Sequence, residues 1–193
     1  MLPAGKAAEA CEARGESCLK ERMPEPATTY NVLFLCTGNS ARSILSESLL
    51  THWGRGRFHA FSAGSFPKGQ VHPLAIELLK RMNLPFEGFR SKSWDEFAAP
   101  EAPPLDFIFT VCDNAAGEVC PIWPGKPMTA HWGIADPAAV QGSDADKALA
   151  FRKALKELET RVKLFTELPI GSLDPMTLRE KLRAIGRQAT TEA

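Results

Sequence analysis

Residues 31–36, Asn31-Val32-Leu33-Phe34-Leu35-Cys36, form a short, almost wholly apolar run that Thr37-Gly38-Asn39 breaks at once. A strand buried on both faces of a parallel sheet requires such a run. A helical stretch then opens at Ser40 and continues to about Trp53, with Ile44, Leu45, Leu49 and His52 or Trp53 near helical spacing. Strand, tight break and helix make the first half of a βα unit, and the rest of the chain repeats the pattern.

Residues 58–63 read as a second strand, ended by Gly64. Pro73 opens a second helix whose apolar face is Leu74, Leu78 and Met82. Residues 83–104 are loop-like, with one short helix expected over residues 93–97. A third strand spans 105–111 and a fourth 128–132, stopping at Gly133. Ser143 and Asp146 have the spacing of a capping box, and Phe151, Leu155, Leu158, Val162 and Phe165 give the following helix its stripe. Asp174-Pro175 opens a last helix carrying Leu178, Leu182 and Ile185. Strands alternating with helices predict an α/β fold: one three-layer domain over residues 30–193, a four-stranded parallel sheet flanked by helices. Residues 1–29 lack a sustained apolar stripe and read as a flexible N-terminal extension. In such sheets ligands bind beyond the carboxyl ends of the strands, where Cys36, Cys112 and Gly133 fall.

The charge balance narrows the function. Lys plus Arg is 23 and Asp plus Glu is 23, so the formal net charge is zero. Generic binding to nucleic acid or to an anionic membrane needs a cationic surplus, so neither is an expected partner. No apolar run approaches the roughly 20 residues that span a bilayer, and the charged N-terminus does not resemble a secretory signal. The expected compartment is the cytoplasm, where thiols stay reduced. Five cysteines on such a chain argue against a structural disulfide framework.

The most informative segment is Cys36-Thr37-Gly38-Asn39-Ser40-Ala41-Arg42-Ser43. Successive backbone N–H groups can curl around a tetrahedral anion, and a helix N-terminus adds its positive dipole. Gly38 is expected to supply the unusual backbone angles of the cradle. Arg42 offers a two-pronged fork to two oxygens, and Ser43 a hydroxyl to the sulfur. The same field is expected to pull the Cys36 pKa below the ordinary thiol value. The competing reading is a buried strand-end cysteine beside an unrelated arginine.

Cys-x5-Arg-Ser after the first strand resembles the low-molecular-weight protein tyrosine phosphatases, and Cys-Thr-Gly-Asn-Ser-Ala-Arg-Ser is most similar to the arsenate reductases that share that fold. Two further segments carry the resemblance: Thr110-Val111-Cys112-Asp113 running to Cys120-Pro121, and His131-Trp132-Gly133-Ile134-Ala135-Asp136-Pro137-Ala138. It covers roughly residues 30–168 and leaves out the extension with Cys11 and Cys18. It implies an oxyanion loop of residues 37–43, Cys36 as nucleophile, Arg42 as anion clamp and Asp136 as general acid. Read alone, Asp136-Pro137 is sooner an Asp-Pro turn, and the matching His131-Trp132-Gly133 context is what turns the reading to the acid.

The resemblance further implies a thiol relay. Cys36 attacks arsenate, Cys112 attacks Cys36, and Cys120 attacks Cys112, leaving a disulfide for an external thiol reductant, with no tightly bound cofactor. A straight helix between Cys112 and Cys120 would hold their Cα atoms about 12 Å apart, whereas a disulfide needs about 4.4–6.8 Å, so pairing requires a loop or unwinding. Seven residues intervene between them, a departure from the thioredoxin-coupled pattern. Thioredoxin is the first expectation and glutathione with glutaredoxin the second. Inert core thiols, or a zinc site using Cys112, Cys120 and His131, are the competing readings. Phosphate and sulfate are the expected competitors of arsenate. Some members of the family bind a monovalent cation beside the loop. Asn39, Glu47 and Ser62 stand where its ligands are expected, and Ser91 near a position that carries a carboxylate. The ordinary alternative makes Asn39 a loop brace and Glu47 and Ser62 surface polar residues. A phosphotyrosine phosphatase using Cys36, Arg42 and Asp136 is the alternative function, although Ala138-Ala139-Val140 offers no aromatic grip for a phenyl ring.

Overall fold

A computed structural model describes residues 29–113 and 123–188. Cys11, Cys18, Cys120 and almost all of the expected extension lie outside them. The sheet is built from β1 (Tyr30–Cys36), β2 (Phe58–Gly64), β3 (Phe107–Thr110) and β4 (Met128–His131). All pairings are parallel and the order is β2-β1-β3-β4. The helices are α1 (Arg42–Trp53), α2 (Pro73–Arg81), α3 (Asp144–Thr166) and α4 (Pro175–Arg187).

The order explains where the site lies. After β1 the chain crosses to β2 on one side, then returns to β3 on the other, so a crevice opens at the carboxyl ends of β1 and β3. Leu35 is in register with Thr110, which brings the residues after them, Cys36 and the 111–112 segment, to the same edge. Both faces of β1 are buried, as its apolar run requires. Val32, Phe34 and Cys36 join a large core with residues of α1–α4, while Leu33 and Leu35 face a smaller one with Phe97, Leu105 and Ile108. A 3-10 turn at Trp94–Phe97 begins on Ser93, as the sequence suggests, and helps to cover the smaller face.

Local expectations meet the structure closely, with informative differences. The Ser143–Asp146 capping box and the Asp174 cap are both formed. The expected start of α1 at Ser40 is corrected to Arg42, because residues 37–41 are spent on the loop. Met82 is a cap rather than core: α2 ends at Arg81, Met82 is 51% exposed, and Ala75, Leu78 and Leu79 are the buried residues. Trp132 is fully buried and stacks on Phe109 at 3.8 Å, with its indole N–H donated to the Leu182 carbonyl. Loss of such a ring costs about 3–5 kcal/mol, so the end of β4 is a firm platform.

Candidate active site

The loop after β1 is held open by its neighbours. The amides of Phe66, Lys68 and His72 donate to the carbonyls of Thr37, Gly38 and Ser40 at 2.9, 3.0 and 2.8 Å. A peptide plane points its N–H opposite to its C=O, so pinning these carbonyls turns the amides of Gly38, Asn39 and Ala41 the other way. The Asn39 amide does reach Cys36 Sγ, at 3.2 Å. The left-handed residue is Asn39, with φ of 40°, not Gly38 as the sequence suggests. Asparagine tolerates that region because its short amide can bond locally. Gly38 serves close approach instead, since the Lys68 side chain lies across it. Gly64 does the same from β2: a Cβ there would meet the Thr37 carbonyl oxygen at 2.5 Å.

Cys36 is 4% exposed, and its Sγ lies 3.0 Å from the Ser43 hydroxyl. The direction of its pKa differs from the expectation. Burial is the largest influence and pushes the thiol up, while the Ser43 and Asn39 hydrogen bonds pull it down and nearby Cys112 adds to the rise. Cys112 is also a buried thiol, 3.7 Å from Thr37 Oγ1.

Arg42 and Asp136 face one another across the mouth. One guanidinium nitrogen donates to Asp136 Oδ2 at 2.9 Å and the other to the Ile134 carbonyl at 3.1 Å. The fork expected on the anion is thus divided between the acid and a backbone carbonyl. Asp136 Oδ1 accepts from the Ala138 amide, so the Asp-Pro turn and the placement of the acid are one structure. Arg161, buried on α3, donates to the carbonyls of Trp132 and Gly133 and fixes the segment that carries Asp136. Beside Asp136 an apolar cavity of about 390 Å³ is lined by Ile134, Pro137, Val140, Leu149 and Ala154 among others.

The reading of Glu47 and Ser62 as surface residues is corrected: they are 8% and 0% exposed. Asn39 Nδ2 donates to the hydroxyls of Ser43 and Ser62, both at 2.9 Å, and Ser62 donates to Glu47 Oε2 at 2.5 Å. Burial raises the Glu47 pKa, opposed chiefly by Lys92. His131, weighed as a zinc ligand, has Nδ1 2.8 Å from Thr110 Oγ1 and Nε2 3.0 Å from Asp113 Oδ1. Among the described residues no group of three or more His, Cys, Asp or Glu is placed to hold a metal ion.

Cys36 and Cys112 are thus neighbours at the ends of β1 and β3, and Arg42, where the loop from Cys36 meets α1, pairs with Asp136; Cys120 lies outside the described residues. The family model for the low molecular weight phosphotyrosine protein phosphatases matches residues 31–177. The chain belongs to this family. Among its curated relatives, an arsenate reductase of Halalkalibacterium halodurans is 34% identical over 140 residues, covering 70% of this chain and 94% of the relative. An arsenate reductase of Bacillus subtilis is 32% identical over 136 residues, covering 70% and 94%. A crystal structure of an arsenate reductase from Archaeoglobus fulgidus superposes with a TM-score of 0.56 at 28% identity, covering 71% of this chain and 99% of that one. Of the catalytic residues that the sequence singles out, the described ones lie at the end of β1 or on the segments that follow β1, β3 and β4. Lys68, His72, Gly64, Lys92 and Arg161 were not singled out there, because each acts through a contact distant in sequence.

Proposed function

We propose that the chain is an arsenate reductase. The observation that carries this reading is the second buried thiol, Cys112, beside the nucleophile loop, which hydrolysis of a phosphoester does not need. The named activity of the curated relatives supports it.

The geometry suits the following sequence. Arsenate enters the loop, and Arg42 leaves Asp136 to place its fork on two oxygens. The Cys36 thiolate bonds to arsenic while Asp136, protonated from solvent once Arg42 has left it, gives that proton to the departing oxygen, which leaves as water. Cys112 then attacks Cys36 Sγ. The S–S bond forms, the S–As electron pair stays on arsenic, and As(V) leaves as As(III) arsenite. Cys120 attacks Cys112, freeing Cys36, and an external dithiol reduces the Cys112–Cys120 disulfide. Thioredoxin is the first candidate reductant, with glutathione and glutaredoxin second, and a reducing cytoplasm is the compartment in which such a cycle can be renewed. No tightly bound cofactor is required, and phosphate or sulfate would occupy the same loop.

The apolar cavity beside Asp136 favours a second reading, hydrolysis of an aryl phosphate. Its walls combine aliphatic side chains with Asp146, Lys153 and Glu157 and hold no aromatic ring to grip a phenyl group. An assay of arsenate-dependent NADPH oxidation with each reductant system separates the two. Turnover in one system, abolished by Cys112→Ser, is expected. Brisk aryl-phosphate hydrolysis that survives Cys112→Ser, without arsenate reduction, would reject the proposal.

A further inference from the structure

The family resemblance implies a monovalent cation beside the loop in some members, and the residues present here do not fit one. Lys92 Nζ lies 3.9 Å from Glu47 Oε2, and both side chains are about nine-tenths buried, at 9% and 10% exposure. An added cation would share one carboxylate with an ammonium in a site with little water. Ser91, near the position that carries a carboxylate in that site, is engaged with the loop: its hydroxyl donates to the Gly38 carbonyl and accepts the Gly69 amide.

We propose that Lys92 is a positioning residue whose tethered ammonium takes the place of the alkali-metal ion and polarises a hydrogen-bond chain ending on Cys36. The inference rests on the proposed function only through Cys36 as nucleophile. Lys92 is fastened at its backbone: its amide donates to Asn39 Oδ1 at 2.8 Å, and its carbonyl accepts the Gly64 amide at 2.9 Å. The first bond orients the Asn39 side chain. With Oδ1 taken, Nδ2 faces Ser43 and Ser62 and donates to both oxygens. Each hydroxyl then keeps its own hydrogen for the far side, Ser62 for Glu47 and Ser43 for Cys36 Sγ.

The chain keeps this direction while Glu47 is an acceptor on both oxygens, that is, while it is ionised. Burial alone raises the Glu47 carboxyl and lowers the Lys92 ammonium, and the opposite charge counters each shift. Arg90 and Glu96 also act on Lys92 through space, but they are paired with one another on the surface. Without Lys92, Glu47 takes up a proton and itself becomes a donor to Ser62. The chain then loses its ionised end and, with the Lys92 charge gone, the polarisation that Asn39 passes to Ser43 and Cys36. Cys112 is the other titratable group acting on Cys36.

The test is alkylation of Cys36 by iodoacetamide, followed peptide by peptide against pH on the full chain, in potassium chloride and in choline chloride. Wild type is expected to give one midpoint in both salts. Lys92→Met should raise the midpoint by about one pH unit, a tenfold loss of thiolate below it, and Lys92→Arg should restore most of it. A wild-type midpoint that shifts saturably with potassium would overturn the proposal, as would a folded Lys92→Met with the wild-type profile. Should Lys92→Met melt, the salt comparison on wild type and the profile of Lys92→Arg still decide. No arm needs arsenate, so failure here is distinguishable from failure of the reductase reading.

Discussion

Asp136 and Arg42 hold each other in the resting site, and this sets what each can do. The guanidinium is 14% exposed and the carboxylate 38%, a partly wet pair that an incoming oxyanion can exchange at modest cost. In the proposed reaction binding and protonation are coupled, because the anion that draws Arg42 away frees Asp136 to take up the proton that it passes on. Asp136→Asn removes the proton donor and loosens the grip on Arg42. The expected result is a split: kcat falls by roughly 10²–10⁴, the usual worth of a general acid. Affinity for sulfate or phosphate stays the same or rises. Steady-state kinetics with competitive inhibition by sulfate measures both, and a weakened sulfate affinity would contradict the resting pair. Cys36 is readable from its motif alone. The direction of its pKa is not, because its burial is set by packing that a linear motif does not contain.

Helix α4 reaches the site without touching it. Its Leu182 carbonyl takes the Trp132 indole N–H, and Gly186 lets the helix lie against the His131 carbonyl, where any Cβ would clash. Asp174 starts this helix by accepting the amides of Met176 and Thr177, both at 3.0 Å. The Thr177 bonds foremost hold its carboxyl below the ordinary value of 3.8. A depressed carboxylate adds stability above its unfolded pKa, and loses it as pH falls through the folded value. Asp174→Ala should therefore lower the thermal midpoint at pH 7, and the gap to wild type should close in acid well below 3.8. Melting curves across pH check this, and a constant gap would contradict it. Both helix caps are legible in the sequence because capping is local chemistry. The first turn of α1 is not, because the loop claims residues 37–41 for the anion. Met82 misleads for a related reason: its spacing suits a helix that stops one residue short of it.

In the whole molecule, zero net charge conceals a concentrated arrangement of dipoles and charges at one sheet edge. The order β2-β1-β3-β4 puts the ends of β1 and β3 side by side, so two thiols 76 residues apart in number meet in one crevice. Alternating strands and helices made that fold readable from the sequence. The clamps from residues 66, 68 and 72, the Glu47–Lys92 pair and the Arg161 brace were not, since each joins segments that only the folded chain brings together. In the proposed reaction the thiols supply two electrons per turn to arsenate. Fully reduced protein mixed with arsenate, without external reductant, should release one arsenite per chain. It should lose two thiols and yield a Cys112–Cys120 disulfide on peptide mapping, while Cys120→Ser stops at Cys36–Cys112. Arsenate left unreduced, with every thiol still titratable, would contradict the account.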